Sequence, residues 1–186
     1  MTVTPELDAR FRDAAAAEGL LDLGFDIVDS PIGPLLVAAS PSGLARIYFD
    51  AEPQLHLERL AHVYGPRVLR SSTSVDRARR QLDEYFAGAR DAFELDVDLR
   101  GAPPFAVQVL HELALVPYGR TTTYGTLAAK VGAPRAARAV GTVMHRNPIP
   151  IVLPCHRVVG ANGSLTGYAG GLHVKERLLR LEGALL

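Results

Sequence analysis

The chain has 186 residues, 48% of them hydrophobic and 22% charged, and a formal net charge of zero at pH 7. These values are typical of one large or two small globular domains, and they exclude collagen-like, fibrous and disordered proteins. No uncharged apolar stretch approaches the ~18 residues that a membrane-spanning helix needs, and the acidic residues near the start do not fit a secretion signal. We therefore predict a cytoplasmic protein with no membrane partner.

Cys155 is the only cysteine. A single thiol excludes an internal disulfide and a cysteine-rich zinc site. We expect no bound metal.

The charge is divided unevenly along the chain. Residues 1–100 contain 11 Arg and 17 acidic residues, a balance of −6, whereas residues 101–186 contain 9 basic and 3 acidic residues, a balance of +6. No acid occurs between Glu112 and Glu176, and this stretch contains seven basic residues: Arg120, Lys130, Arg135, Arg138, Arg146, Arg157 and Lys175. A surface with this bias attracts polyanions, since basic side chains that neutralise phosphates release condensed counterions. A solvated surface is the plainer alternative, but ordinary surfaces mix both signs. We predict nucleic acid as the partner.

The N-terminal half predicts a mixed domain of helices and strands. Thr4 followed by Pro5 indicates the start of a helix reaching Gly19, which we interpret as part of an extension, residues 1–22. Tight turns separate the next elements, predicted as antiparallel strands at 25–29, 35–39 and 44–50, helices at 54–63 and 74–86, and a half-buried strand at 93–99. These elements form a predicted N-terminal domain, residues 23–100.

The segment 101–104 is the predicted domain boundary, because the charge switch and a new helical pattern coincide there. The C-terminal domain, residues 101–186, is predicted to contain helices at 105–115, 124–131, 135–145 and 174–182, and a wing-type hairpin of 151–159 with 164–168. Thr123 can cap the second of these helices, and the turn between the second and third helices is typical of a helix-turn-helix. The predicted fold class is α+β, with a small antiparallel sheet and helices followed by a winged helix-turn-helix-type domain.

The third of these helices has the features of a DNA-binding surface. Arg135 and Arg138 are three residues apart and are expected on one helix face, where Ala137 and Gly141 keep the surface low. A low basic ridge can approach DNA closely. Taken alone, this pattern is more commonly explained by an exposed helix with solvated arginines.

Cys155 lies in the run Ile151-Val152-Leu153-Pro154-Cys155-His156-Arg157-Val158. A lone cysteine in an apolar run is more often inert core. Here His156 and Arg157 add a base and a positive charge, which would lower the thiol pKa and favour a nucleophilic thiolate. Adjacent side chains on a strand point to opposite faces, so contact between Cys155 and His156 would need a turn or a bridging water.

The segment 154–158 resembles the active-site signature of the O6-alkylguanine-DNA alkyltransferases, also called methylated-DNA–protein-cysteine methyltransferases. Further motifs follow the family order with similar spacing: Tyr124-Gly125, Ala136 to Gly141, Met144, Asn147-Pro148, Pro150, Gly167 to Gly171 and Leu181-Glu182-Gly183. The resemblance covers nearly all of residues 104–183 and is looser in the N-terminal half, where it implies a ribonuclease H-like domain.

The resemblance implies a single displacement in which Cys155 takes the alkyl group from the exocyclic oxygen of guanine, irreversibly and once per molecule. His156 would accept the thiol proton through a water, and Glu182 would orient the imidazole. Asn147 would tie the DNA-reading helix to the active-site turn, and Tyr124 would assist the leaving base. The base pocket would be lined by Met144, Pro150, Val158, Tyr168 and Ala169. O4-alkylthymine is left open as a second substrate.

The resemblance also implies binding to double-stranded DNA through the minor groove, with little sequence preference. Arg138 would fill the gap left by the flipped base, whose extrusion costs a few kcal/mol. The DNA-binding set is completed by Arg135, Ala137, Gly141, Thr123 and Arg157. We expect a monomer and leave cooperative binding open.

Two alternatives remain at this point. A non-catalytic lesion binder of the alkyltransferase-like type would keep the fold without the cysteine, and Cys155 argues against it. A cysteine-histidine hydrolase could use the same three residues, but the acid-free basic stretch and the predicted helix-turn-helix disfavour it.

Overall fold

The computed structural model describes residues 4–185, which form two compact units. The first unit comprises the chain up to Glu84 together with Glu94–Gly101, and the second comprises Tyr85–Phe93 and the chain from Ala102 onward. The α+β class is confirmed. This division differs from the predicted segments, since residues 85–93 belong to the second unit, Gly101 belongs to the first unit, and the predicted extension is grouped with the first unit.

The first unit contains a four-stranded sheet in the order β3-β2-β1-β4, with β1 at Leu23–Val28, β2 at Leu35–Ser40, β3 at Gly43–Tyr48 and β4 at Val68–Arg70. The pairs β1–β2 and β2–β3 are antiparallel, as predicted, whereas β4 runs parallel to β1.

Three helices accompany this sheet: α1 at Pro5–Ala17, α2 at Leu57–Tyr64 and α3 at Ser72–Phe86, whose last two residues belong to the second unit. The Thr4 hydroxyl accepts a hydrogen bond from the Leu7 amide, so the predicted N-cap of α1 is confirmed. Leu60 and Tyr64 are four residues apart on one face of α2 and pack into the core beside β1 and β2.

The strand predicted at 93–99 is wrong. Only Val97 forms a bridge, with Leu44. The backbone at Glu94 is bonded instead to the side chain of Gln81, which accepts from the Glu94 amide and donates to its carbonyl. The apolar residues of the run are only partly buried, and the buried residue among them is Asp98, so the alternation did not mark a strand with one buried face.

The second unit is mostly helical, with α4 at Pro104–Ala114, α5 at Tyr124–Lys130, α6 at Ala137–His145 and α7 at Leu172–Leu181. Two short strands, β5 at Thr122–Thr123 and β6 at Val158–Val159, pair in parallel. The helices α4, α5 and α6 pack against one another through buried apolar side chains: Val109, Leu110, Leu113, Leu127, Ala128, Val140, Val143 and Met144. Thr123 caps α5 by accepting from the Thr126 amide, as predicted.

Two predictions for this unit need correction. The helix predicted from 135 begins at Ala137, because the Ala136 amide bonds to the Ala133 carbonyl in a preceding turn. The wing-type hairpin is absent from the described residues: Cys155–Arg157 form a single 3-10 turn, and 164–168 contains no strand. Pro148, Pro150 and Pro154 lack amide donors, which disfavours a ladder through this segment.

Within residues 4–185, no helix combines the length and the apolar character that crossing a bilayer requires.

Candidate active site

The thiol of Cys155 lies at the start of the 3-10 turn and is almost fully buried. Asn147, just beyond the end of α6, holds the segment that precedes it. The Asn147 side chain donates to the Leu153 carbonyl at 2.7 Å, accepts from the Ile149 amide at 3.1 Å, and forms a hydrogen bond with the thiol itself. Asn147 therefore links the end of α6 to the turn that carries the thiol.

His156 follows in the same turn, and its side chain has no exposed surface. Its Nε2 lies 2.8 Å from Oε1 of Glu182, the residue that caps the C-terminus of α7. An ionised carboxylate can only accept, so Nε2 carries the hydrogen and Nδ1 carries the free lone pair. Nδ1 is buried and has no hydrogen bond to another group in the part of the chain that the structure describes. The imidazole is thus arranged to accept a proton at Nδ1.

The carboxylate of Glu182 is held by several donors besides His156. Arg157 forms a bidentate pair with it, at 2.9 Å from Nε to Oε2 and 2.9 Å from Nη2 to Oε1. The Tyr85 hydroxyl donates to Oε1 at 2.7 Å and the Gly119 amide to Oε2 at 3.3 Å. Burial by itself would raise the pKa of Glu182, but the hydrogen bonds from His156 and Arg157 outweigh it and lower the pKa to about 2. Glu182 is therefore ionised at neutral pH.

The thiol and the imidazole are both neutral in this environment. Burial raises the pKa of Cys155 to about 11, although the hydrogen bond to Asn147 and the charge of Lys175 partly oppose it. Burial also lowers the pKa of His156, against the opposing effect of Glu182. The expectation that the neighbours of Cys155 produce a lowered thiol pKa is therefore wrong, because desolvation dominates.

Arg157, predicted to contact DNA, is buried instead. Besides its pair with Glu182, its Nη1 donates to the Val116 carbonyl at 2.5 Å, and its guanidinium carbon lies 5.8 Å from the centre of the Tyr118 ring. The guanidinium of Arg157 donates to Glu182 and to the Val116 carbonyl, so Arg157 holds the Glu182 carboxylate and is not directed to a DNA phosphate.

Lys175, on α7, was assigned from the sequence only to the basic stretch, and its place beside the candidate thiol was not predicted. Its side chain is fully buried, and Nζ donates to the Val158 carbonyl at 2.6 Å and to the Thr166 carbonyl at 3.3 Å. Burial lowers the pKa of Lys175, and the ammonium interacts electrostatically with Cys155. A signal existed, since Lys175 is four residues before buried Leu179 on the apolar face of α7.

The predicted pocket residues divide between the interior and the surface. Met144, Pro150 and Val158 are buried, and Ala169 is exposed. The Tyr168 hydroxyl is buried and interacts with the Cys155 thiol, and burial raises its pKa, so it stays protonated. The hydroxyl oxygens of Tyr124 and Thr166 lie 2.6 Å apart and form a hydrogen bond.

The predicted DNA-facing residues lie on and just before α6. Arg138 is exposed in its first turn, and the partly exposed Ala137 and Gly141 lie on the same helix. Arg135 is exposed but precedes the helix, so the expected i,i+3 helix pair with Arg138 does not form. The Thr123 hydroxyl is engaged within its own helix cap. Five members of the acid-free basic stretch are exposed: Arg120, Lys130, Arg135, Arg138 and Arg146.

Comparison with known proteins places these features in a family. The model of the 6-O-methylguanine DNA methyltransferase DNA-binding domain matches residues 104–184, and that of the ribonuclease-like domain matches residues 24–99. A methylated-DNA–protein-cysteine methyltransferase of Methanosarcina acetivorans is 43% identical over 160 residues, which cover 86% of this chain and 98% of that protein. Its counterpart in Mycobacterium leprae is 46% identical over 158 residues, covering 83% and 89%. The crystal structure of Mycobacterium tuberculosis OGT in complex with DNA is similar with a TM-score of 0.75 and 40% identity, covering 87% of this chain and 93% of that one.

The fold and the site together define a two-unit α+β protein with one buried thiol beside a histidine-glutamate pair. The chain belongs to the 6-O-methylguanine DNA methyltransferase family, as the sequence resemblance predicted. The matches also confirm the predicted ribonuclease-like N-terminal domain and C-terminal DNA-binding domain.

Proposed function

We propose that this protein repairs O6-alkylguanine in DNA by transferring the alkyl group to Cys155. The observation that carries the proposal is the single thiol, held by Asn147 beside the hydrogen-bonded pair of His156 and Glu182, within a unit that matches a DNA-binding domain. Membership of a family whose relatives are named methylated-DNA–protein-cysteine methyltransferases supports the same reaction.

The reaction is a displacement at the alkyl carbon. Nδ1 of His156 accepts the thiol proton through a water, and Glu182 stabilises the imidazolium that forms. The sulfur forms a bond to the alkyl carbon while the bond from that carbon to the guanine oxygen breaks, and the electron pair goes to the purine. Tyr124 supplies a hydrogen bond, or its proton, to the leaving base.

The geometry supports concerted proton transfer rather than a standing thiolate. A thiol with a pKa of about 11 carries little negative charge at neutral pH. The buried ammonium of Lys175 favours the thiolate as it develops, and no bulk water competes for that charge. The product is a thioether with no displacing group, so each molecule acts once and needs no cofactor.

The proposal includes binding to the minor groove of DNA, and the exposed surface of α6 supports it. Exposed Arg138 is the wedge that fills the gap beside a flipped base, and small side chains at 137 and 141 permit close approach. Arg135 contributes a phosphate contact. Little sequence preference, a monomeric state and a cytoplasmic location belong to the same proposal, and O4-alkylthymine stays open as a second substrate.

We also propose that the chain is divided into three segments: an extension at 1–22, an N-terminal domain at 23–100 and a C-terminal domain at 101–186. The family matches, which run from 24 to 99 and from 104 to 184, support this division.

The test is to incubate the protein with duplex DNA that contains O6-methylguanine and to weigh the intact protein. We expect a gain of one methyl group that stops at one equivalent and is absent in Cys155→Ala. Tight binding without a gain in mass would favour a non-catalytic lesion binder, and many turnovers of an ester without lasting modification would favour a hydrolase. Either result contradicts the proposal.

A further inference from the structure

Tyr85 belongs to the active site although the rest of the site lies in the C-terminal family match. It is the penultimate residue of α3, falls within the match to the ribonuclease-like domain, and is grouped with the second unit. Its side chain is completely buried, and its ring lies edge-on to Tyr118 and Phe86 and tilted against Phe93. This packing fixes the direction of the hydroxyl.

The hydroxyl donates to the same carboxylate oxygen that faces His156. Oε1 of Glu182 accepts from the Tyr85 hydroxyl at 2.7 Å, from Nε2 of His156 at 2.8 Å and from Nη2 of Arg157 at 2.9 Å. Three donors on one oxygen share its negative charge and leave the carboxylate no freedom to rotate. Burial raises the pKa of Tyr85, so the hydroxyl keeps its proton and donates it to the carboxylate of Glu182.

We propose that Tyr85 is a positioning residue that holds Oε1 of Glu182 against His156 and limits how strongly that oxygen attracts a proton on the imidazole. This inference rests on the proposed function for its relevance to repair. The hydrogen bonds that it concerns join only the side chains of Tyr85, Glu182 and His156.

The charged and titratable groups around His156 decide the sign of the effect. They come from the turn itself, from α7, from the loop before α7 and from α3: Cys155, Arg157, Lys175, Glu182, Tyr168 and Tyr85. Removing the Tyr85 hydroxyl leaves more negative charge on Oε1 for the imidazole. The imidazolium is then better stabilised, so the pKa of His156 rises.

Tyr85→Phe tests this, because it removes the hydroxyl and keeps the ring. We expect the His156 titration, followed by NMR of the ring nitrogens and assigned by its absence in His156→Gln, to move to higher pH by about half a unit. The acid side of the pH profile for methyl transfer should move in the same direction by a similar amount. If Tyr85→Phe does not fold, Tyr85→Met provides the same loss of the hydroxyl.

Tyr118→Phe is the matched control. The Tyr118 hydroxyl also makes one hydrogen bond next to this site, but it donates to the Leu181 carbonyl at 3.0 Å and not to the carboxylate. We expect its loss to leave the His156 titration unchanged. An unchanged titration in Tyr85→Phe, or an equal change in Tyr118→Phe, would overturn the proposal. A wild-type protein that transfers no methyl group would refute the proposed function, while the titration would still judge the role of Tyr85.

Discussion

Glu182→Gln measures how much the buried carboxylate stabilises the fold. The Glu182 side chain has no exposed surface and its charge is paired with buried Arg157, so a neutral side chain leaves the guanidinium without a counter-charge. Removing one partner of a buried ion pair costs about 3–5 kcal/mol. The lowering of the pKa of Glu182 from 4.5 to about 2 leads to a similar value, about 3 kcal/mol at ~1.4 kcal/mol per tenfold change in acidity.

The pH dependence has a definite sign. Because the folded-state pKa lies below the unfolded one, the stabilisation is fully present above about pH 4.5 and is lost as the pH falls toward 2. Urea unfolding followed by circular dichroism at pH 7 should therefore show a large difference between wild type and Glu182→Gln. The difference should shrink at acid pH, since protonation neutralises the wild-type carboxyl.

Glu176→Gln is the control on the same helix. Glu176 pairs with Arg180 at 2.9 Å, and both side chains are about half exposed. An exposed i,i+4 pair contributes only about 0.3–0.5 kcal/mol. If Glu182→Gln costs no more than Glu176→Gln at pH 7, the reasoning about the buried carboxylate is refuted.

Two further predictions concern the thiol and the DNA. Lys175→Met removes the buried cation near Cys155, so we expect the thiol pKa to rise further and alkylation of this lone thiol by iodoacetamide to slow by about tenfold at fixed pH. The control Lys130→Met removes an exposed cation and should change neither the thiol pKa nor the rate of alkylation. Equal alkylation rates in the two variants would contradict a role for the buried charge. Arg138→Ala should slow repair of duplex DNA by about tenfold while reaction with the free alkylated base stays within about twofold. Equal losses on both substrates, measured in single-turnover assays, would count against a wedge.

Local signals in the sequence predicted the helices well. Thr4 and Thr123 cap α1 and α5 because a cap depends only on the next few residues. The strand predicted at 93–99 and the hairpin predicted from 151–159 with 164–168 were wrong for the opposite reason, although Val158–Val159 form the short strand β6. An alternating or apolar run marks residues that become wholly or partly buried, but a strand also needs a partner, and the partner is supplied from elsewhere in the chain.

The proposed nucleophile and its proposed base were likewise evident from the sequence, since Cys155 and His156 are adjacent in a distinctive motif. The ionisation states of these two side chains were not evident from the sequence. Proximity of a base and an arginine predicted a lowered thiol pKa, whereas burial raises it to about 11 and the guanidinium of Arg157 faces Glu182.

Residue order by itself determined the α+β class, the positions of most helices, the basic C-terminal half and the identity of the reactive thiol. Tertiary structure decided which charges are buried and which groups bond to them. The buried ammonium of Lys175 donates to the Val158 carbonyl, and the buried carboxylate of Glu182 accepts from Tyr85, which is distant in the chain. The physical reason is that the charge of an ionisable group depends on desolvation and on donors brought together only by folding.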